Sequence, residues 1–528
     1  MRGHCLVAAL VVSMLYKPVA AINVDSLLVE SIGGPSARDS VVAMQSIFYR
    51  GTAVMGGIEG NLTAWAVPPN KYLLQFKSEA INLTRGCDGK VVWERDQNGR
   101  VFDLAGFEKE VILKSAYFES YAYVDPKRRM GSRSYLGVHD LGYHKYNVVQ
   151  LVPTADDTTW MYIDTQTGLC DVTETIADEL LITTTMADYR SVGGILVPFF
   201  IRDTVNGLGG SSTVILEQVD INLAVDPVIF ERPGMEKVDF HFPADVASVT
   251  IPFAFVESHI FVKATLNGKL TVYLLLDSGA SVNIYYKPTV ENLELPITGY
   301  IPVQGVAADD SIGLVMIDSV QIGELALYHQ VAGMMDESPI GQATMENADF
   351  GGALGFDFLS RFPMKVDYTK FELTVYNPQK FELPKGGTEV PFFLSSKIPM
   401  VPAKVSGIEG NFLVDLGNAI GLILNEDFVT THNLTDRLTE IHDLEGGMLG
   451  VGGMATMRGA TAKSVVLGGL ELGQTQVFLP ESAGGMSSSK RIDGNIGNPV
   501  LKQFTVLLDY ERNRLVLYPP AGQNSPAN

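Results

Sequence analysis

The sequence predicts a mainly β protein, with an antiparallel β domain in the first half and two similar β-lobes in the second. Three observations carry this. The 528 residues include 52 glycines and 26 prolines spread along the chain, which suits many short strands and turns rather than long helices. Apolar runs such as Val91-Val92-Trp93 and Trp160-Met161-Tyr162-Ile163 alternate with Gly, Asp and Asn turns. From about residue 250 to 520 one pattern of blocks is written twice.

In chain order, residues 1–21 read as a signal peptide. Arg2 precedes an apolar stretch from Cys5 to Tyr16, and Val19-Ala20-Ala21 offers small residues for cleavage. The stretch is too short for the ~20 residues that span a bilayer, so an exported protein, periplasmic or secreted, is expected. Once Cys5 leaves with this segment, Cys87 and Cys170 remain, and they either close one disulfide or stay as buried thiols. The balance of 39 Lys+Arg against 60 Asp+Glu gives a net charge of −21, which repels phosphate backbones and argues against nucleic acid as a partner. The densest basic run, Lys127-Arg128-Arg129, reads as a solvated loop. With 46% hydrophobic residues the chain can build large cores, which excludes wholesale disorder.

Residues 22–240 lack the repeat and read as one helix, capped by Ser36 and running through Met44, followed by many β-segments. Gly33-Gly34, Cys87-Asp88-Gly89 with Trp93, Asp164 to Leu169, and Asp188-Tyr189-Arg190 with Pro198-Phe199 together resemble the LolA-like fold. That resemblance implies a half-open antiparallel β-barrel with a helix in its mouth, and a lipid or lipoprotein as partner. A Pro-containing segment, 241–252, reads as the linker to the repeat.

The repeat occupies 253–382 and 383–520, and 521–528 is a flexible tail. Tyr273-Leu274-Leu275-Leu276-Asp277-Ser278-Gly279-Ala280 in the first copy corresponds to Phe412-Leu413-Val414-Asp415-Leu416-Gly417-Asn418-Ala419 in the second. The closing blocks, Gly352 to Leu359 and Gly494 to Leu501, are each followed by a strand-like tail. Asp277 stands 78 positions before Gly355, and Asp415 stands 82 before Gly497. A unit written twice folds as two lobes about a pseudo-twofold axis, which brings Asp277 and Asp415 together.

Two carboxylates on such an axis cannot both ionise cheaply, so they share a proton. One then takes a proton from water while the other gives one to a carbonyl oxygen. Leu275-Leu276-Asp277-Ser278-Gly279-Ala280 with Ala353-Leu354-Gly355 resembles the retropepsin-like aspartic peptidases, and Val414-Asp415-Leu416-Gly417 with Ile496-Gly497 repeats the pattern. The presence of both lobes in one chain implies a pepsin-like monomer with a bilobal acid-protease β-barrel domain. The resemblance implies catalytic Asp277 and Asp415, loop support from Ser278, Gly279, Ala280, Leu416 and Gly417, and a flap bearing Gly305 in one lobe and Gly450, Gly452 and Gly453 in the other. Family members interlock the two loops through a hydroxyl after each aspartate. Ser278 supplies one, and Leu416 departs from the pattern.

No cofactor and no metal site is expected. His139 and His144 read as surface residues, and Asp156-Asp157 as a polar loop. Gly450 to Ala455 fits a nucleotide fingerprint in form, but no helical pattern follows it. The expected function is hydrolysis of peptide bonds in a peptide or protein substrate by an exported aspartic endopeptidase. The alternative is a catalytically decayed carrier that binds peptide or lipid.

Overall fold

The computed structural model describes residues 22–519 except 143, 155–156, 178–179, 206–210, 235–237, 305–308, 337–349, 451–452 and 482–488. The expected leader at 1–21, the tail at 521–528, and Asp156, Gly305 and Gly452 lie outside the described residues.

Alternating apolar residues in the first half build one antiparallel sheet of 13 strands. Neighbouring strands are successive in the chain except at one seam, where the first, Ile47–Met55, pairs with the last, Ser211–Ile221, and the sheet's two edges are Val101–Asp103 and Ser132–Asp140. Two meanders are thereby joined back to back. Along Ile195–Val205, Ile195, Val197 and Phe199 point into a core shared with Leu28, Val41 and Ile112 of the helices Val24–Glu30, Pro35–Ala43 and Gly106–Glu119. Three α-helices therefore stand among the described residues of this half, where the sequence predicted one. Asn23 caps the first, accepting the N–H of Asp25 at 3.0 Å. The second starts at Pro35 behind Gly34, whose φ of 89° turns the chain, so Ser36 is inside the helix rather than its cap. The third was hidden because Glu and Lys interrupt its apolar positions and its buried residues are only Ile112, Ala116 and Tyr117.

Of the two alternatives left open for the cysteines, Cys87 and Cys170 are the buried free thiols rather than a disulfide. Their strands, Asn82–Cys87 and Cys170–Ala177, are separated by six others in the sheet. Burial pushes the Cys170 thiol up to about 12. The basic run is not simply solvated: Arg128 pairs with Asp125 at 2.6 Å, with both side chains largely buried.

In the second half each lobe has its own sheet, and a six-stranded sheet joins them. At its centre Met364–Asp367 pairs antiparallel with Thr505–Asp509, the corresponding tails of the two sequence blocks. The segment 241–252, expected as a linker, contributes to both sheets it crosses. His241 ends the short strand Phe240–His241 against Ala326, and Ser248–Pro252 forms the edge of the joining sheet beside Glu372–Tyr376. Ile251 is its buried anchor.

The first half is also fastened to the lobes by buried polar groups. Asn98 accepts the Val331 N–H at 2.7 Å, and its Nδ2 donates to Val331 O at 2.9 Å and Asp357 Oδ1 at 2.8 Å. Lys397 Nζ meets Asp96 Oδ2 at 3.2 Å, the aspartate fully buried. A buried carboxylate without its partner is expensive. Lys397→Met is therefore expected to destabilise the protein by about 3 kcal/mol in urea unfolding.

Candidate active site

The same local construction delivers each aspartate. Leu270–Leu276 runs parallel to Phe350–Leu354, and just past its end the Asp277 N–H donates to Leu354 O at 3.0 Å. Ile408–Val414 runs parallel to Gly494–Ile496, and the Asp415 N–H donates to Ile496 O at 3.0 Å. Each chain then turns so that a loop N–H reaches the carboxylate. Gly279 donates to Asp277 Oδ1 at 2.9 Å, and Gly417 to Asp415 Oδ1 at 2.8 Å.

The two loops meet face to face. A Cβ on Gly279 would stand 2.6 Å from Cγ of Asp415, and one on Gly417 would stand 2.5 Å from Cγ of Asp277. Each glycine therefore makes room for the opposite carboxyl, which is why no side chain is tolerated there. The two carboxyls are thereby brought face to face across the loops. Burial first, then the charge and hydrogen bond of Asp415, push the Asp277 carboxyl well above the usual carboxylate range. Such a pair places an acid and a base in contact, the combination that adding water to a carbonyl requires.

Ser278 makes both bonds of its lock. Its Oγ donates to Val414 O at 2.7 Å and accepts the Leu416 N–H at 2.9 Å. Leu416 returns neither and sits fully buried in the core. Asn498 ties that loop down instead. Its Nδ2 donates to Leu416 O at 2.6 Å and to Ser258 O at 2.8 Å, while its Oδ1 accepts the Tyr368 hydroxyl at 2.7 Å. The second-lobe loop is thus held by two first-lobe residues through one amide. Sequence reasoning missed Asn498, although the repeat held the signal: the corresponding residue after Gly355 is Phe356.

Ala280 closes the first loop, its carbonyl accepting the Phe356 N–H at 2.9 Å. Behind it, Asn283 accepts the Gly355 N–H at 2.9 Å and gives its own N–H to Asp357 at 2.7 Å, the carboxylate that Asn98 holds from the first half. Of the glycines expected in flaps, Gly450 pairs with Gly453 where Leu438–Gly450 and Gly453–Leu467 run antiparallel. In the first lobe Gly299–Gln304 pairs with Asp309–Ile322 on either side of Gly305. His144 is exposed and bonds Asp164 at 2.7 Å. No group of three metal-ligating side chains occurs among the described residues. A further perturbed carboxyl, Glu119, lies in the first half, where burial pushes it up to about 7 against the pull of the Tyr72 hydroxyl.

Residues 262–358 match the aspartyl protease family model, a span that contains both first-lobe motifs. Among solved structures the chain is similar to an aspartic proteinase from Irpex lacteus, with 14% identity, covering 53% of this chain and 100% of that one, at a TM-score of 0.36. It is similar to a DUF1329 family protein from Desulfovibrio piger, with 11% identity over 39% of this chain and 95% of that one, at 0.30. It is also similar to a LolA superfamily protein from Nitrosomonas europaea, with 9% identity over 39% of this chain and 96% of that one, at 0.29. No curated protein matches the chain.

Two outcomes follow for stability. Ser278→Ala strands the Val414 carbonyl and the Leu416 N–H, and is expected to cost about 2 kcal/mol in urea unfolding, most of it recovered by Ser278→Thr. The raised Asp277 carboxyl means that the native state holds this proton more tightly than the unfolded chain does. Its stabilising contribution is complete below the unfolded value of about 4 and is lost as pH rises through the native value. Urea unfolding across that window should show a pH dependence that flattens in Asp277→Asn.

Proposed function

We propose that the chain is an exported, single-chain aspartic endopeptidase that hydrolyses peptide bonds with water activated between Asp277 and Asp415. The observation that carries this reading is the placement of two carboxyls face to face on opposing loops, with each glycine reserved for the opposite carboxyl. The aspartyl protease match across 262–358 supports it, and the leader-like composition of 1–21 supports export. In the reaction one carboxylate takes a proton from water as the oxygen bonds to the carbonyl carbon. The other carboxyl protonates the carbonyl oxygen, and the roles reverse as the amine leaves. The hairpins bearing Gly305 and Gly450 to Gly453 serve as flaps over the substrate. The first half, by its resemblance to the LolA-like fold, takes a lipid or lipoprotein as its partner, and the substrate of the lobes is a peptide or protein.

Leu416 favours one competing reading, a peptide-binding scaffold that has lost catalysis. Cleavage of a mixed peptide library from acidic to neutral pH separates the two. Wild type is expected to cleave, and Asp277→Asn and Asp415→Asn are each expected to lose about 10²- to 10⁴-fold. Activity retained in Asp277→Asn, or a folded wild type inert throughout, would overturn the enzyme.

A further inference from the structure

The two lobes differ in what they offer their aspartates. Asn495 occupies the strand position that Ala353 occupies in the first lobe. It pairs with Leu413 and Ile423, as Ala353 pairs with Leu275 and Ile284. Its Nδ2 donates to Asp415 Oδ2 at 2.7 Å, whereas an alanine has no donor to offer Asp277. Which end of the amide faces the carboxylate is set by donors that cannot be reversed. The backbone N–H groups of Ile420 and Gly421 donate to Asn418 Oδ1 at 2.8 and 3.2 Å, so the other end of Asn418 is its Nδ2. That Nδ2 donates to Asn495 Oδ1 at 3.0 Å, and to Gly421 O at 2.9 Å. Asn495 must then present Nδ2 to Asp415. Asp415 receives an N–H on each oxygen, from Gly417 and from Asn495, and donors of this kind favour the charged carboxylate. On its own lobe Asp277 receives backbone N–H groups, of Gly279 on Oδ1 and of Ala280, but no side-chain amide from the position of Ala353.

We propose that Asn495 is a positioning residue that keeps the resting proton of the pair on Asp277 and leaves Asp415 as the ionised carboxylate; this rests on the reading that the pair is catalytic. Asp415 then takes the proton of water as the water oxygen bonds to the carbonyl carbon, and Asp277 gives its proton to the carbonyl oxygen. On collapse of the diol the C–N bond breaks, the nitrogen leaves with the proton held by Asp415, and a diol hydroxyl returns a proton to Asp277. Both carboxyls end as they began. Two other titratable groups face the pair. Burial lowers His259, against the opposing charges of Glu257 and Asp415, so it gives up its proton more readily than a free imidazole. Burial, then Asp277 and Asp415, raise the Tyr510 phenol well above its ordinary value, and it stays neutral.

Carboxyl carbon-13 titration of aspartate-labelled full-length protein reads the pair without turnover. The lower step is expected to belong to Asp415. In Asn495→Leu that step should rise by about one pH unit, and the acid limb of peptide cleavage should rise with it, while the rate on the plateau falls less than at the acid end. A general weakening of the fold would lower the plateau without moving the limb. The wild-type assignment needs no Asn495 variant and decides the matter if Asn495→Leu does not fold. A lower step on Asp277, or steps unmoved in Asn495→Leu, overturns the proposal. A wild type that titrates as described but cleaves no peptide supports the role of Asn495 and overturns the enzymatic reading instead.

Discussion

Two carboxyl groups brought together out of water repel each other unless one keeps its proton, and the second half of this chain is organised around holding them there. The joining sheet supplies the frame, with Met364–Asp367 and Thr505–Asp509 paired at its centre so that the lobes close about the axis. Parallel strands bring the aspartates to the same depth, each anchored by its own N–H at 3.0 Å. Gly279 and Gly417 clear the space into which the opposite carboxyl projects. Burial, and then the charge of Asp415, make the Asp277 carboxyl hold its proton well above the usual range.

Symmetry brings the groups together, and departures from symmetry give them different parts. The serine after Asp277 forms both hydrogen bonds of the interlobe lock, while the leucine after Asp415 is buried as packing. Asn498 answers for the missing hydroxyl by joining the Leu416 carbonyl to Ser258 and Tyr368. Asn495 does the same kind of work at the carboxylate itself. The lobe with the poorer motif is therefore the one with more side-chain amides around its aspartate. The first half takes part as well, since Asn98 holds Asp357, which supports the Asn283 turn behind the first loop.

What the sequence disclosed followed from repetition. Asp277 and Asp415, with the glycines two positions on, were legible because each copy vouched for the other. Asn495 and Asn498 were not, because they are places where one copy differs from the other and alignment alone assigns such differences no role. The helix Gly106–Glu119 was obscured by charged residues among its few buried positions. The cysteine pair was open in the sequence because spacing carries no information about which strands lie between two residues; the order of the sheet separates them. The strands at 241–252 hid behind prolines at 243 and 252 and a single buried anchor, Ile251.

The central claim is that one proton is shared between Asp277 and Asp415, with Asp277 its holder. Neutron diffraction from deuterium-exchanged crystals near the activity plateau locates that proton directly. The account predicts a single deuteron between the two carboxyls, bonded to Asp277, with the Asn495 amide deuterium directed at Asp415 Oδ2. Two ionised carboxylates with no deuteron between them, or a deuteron bonded to Asp415, would contradict it.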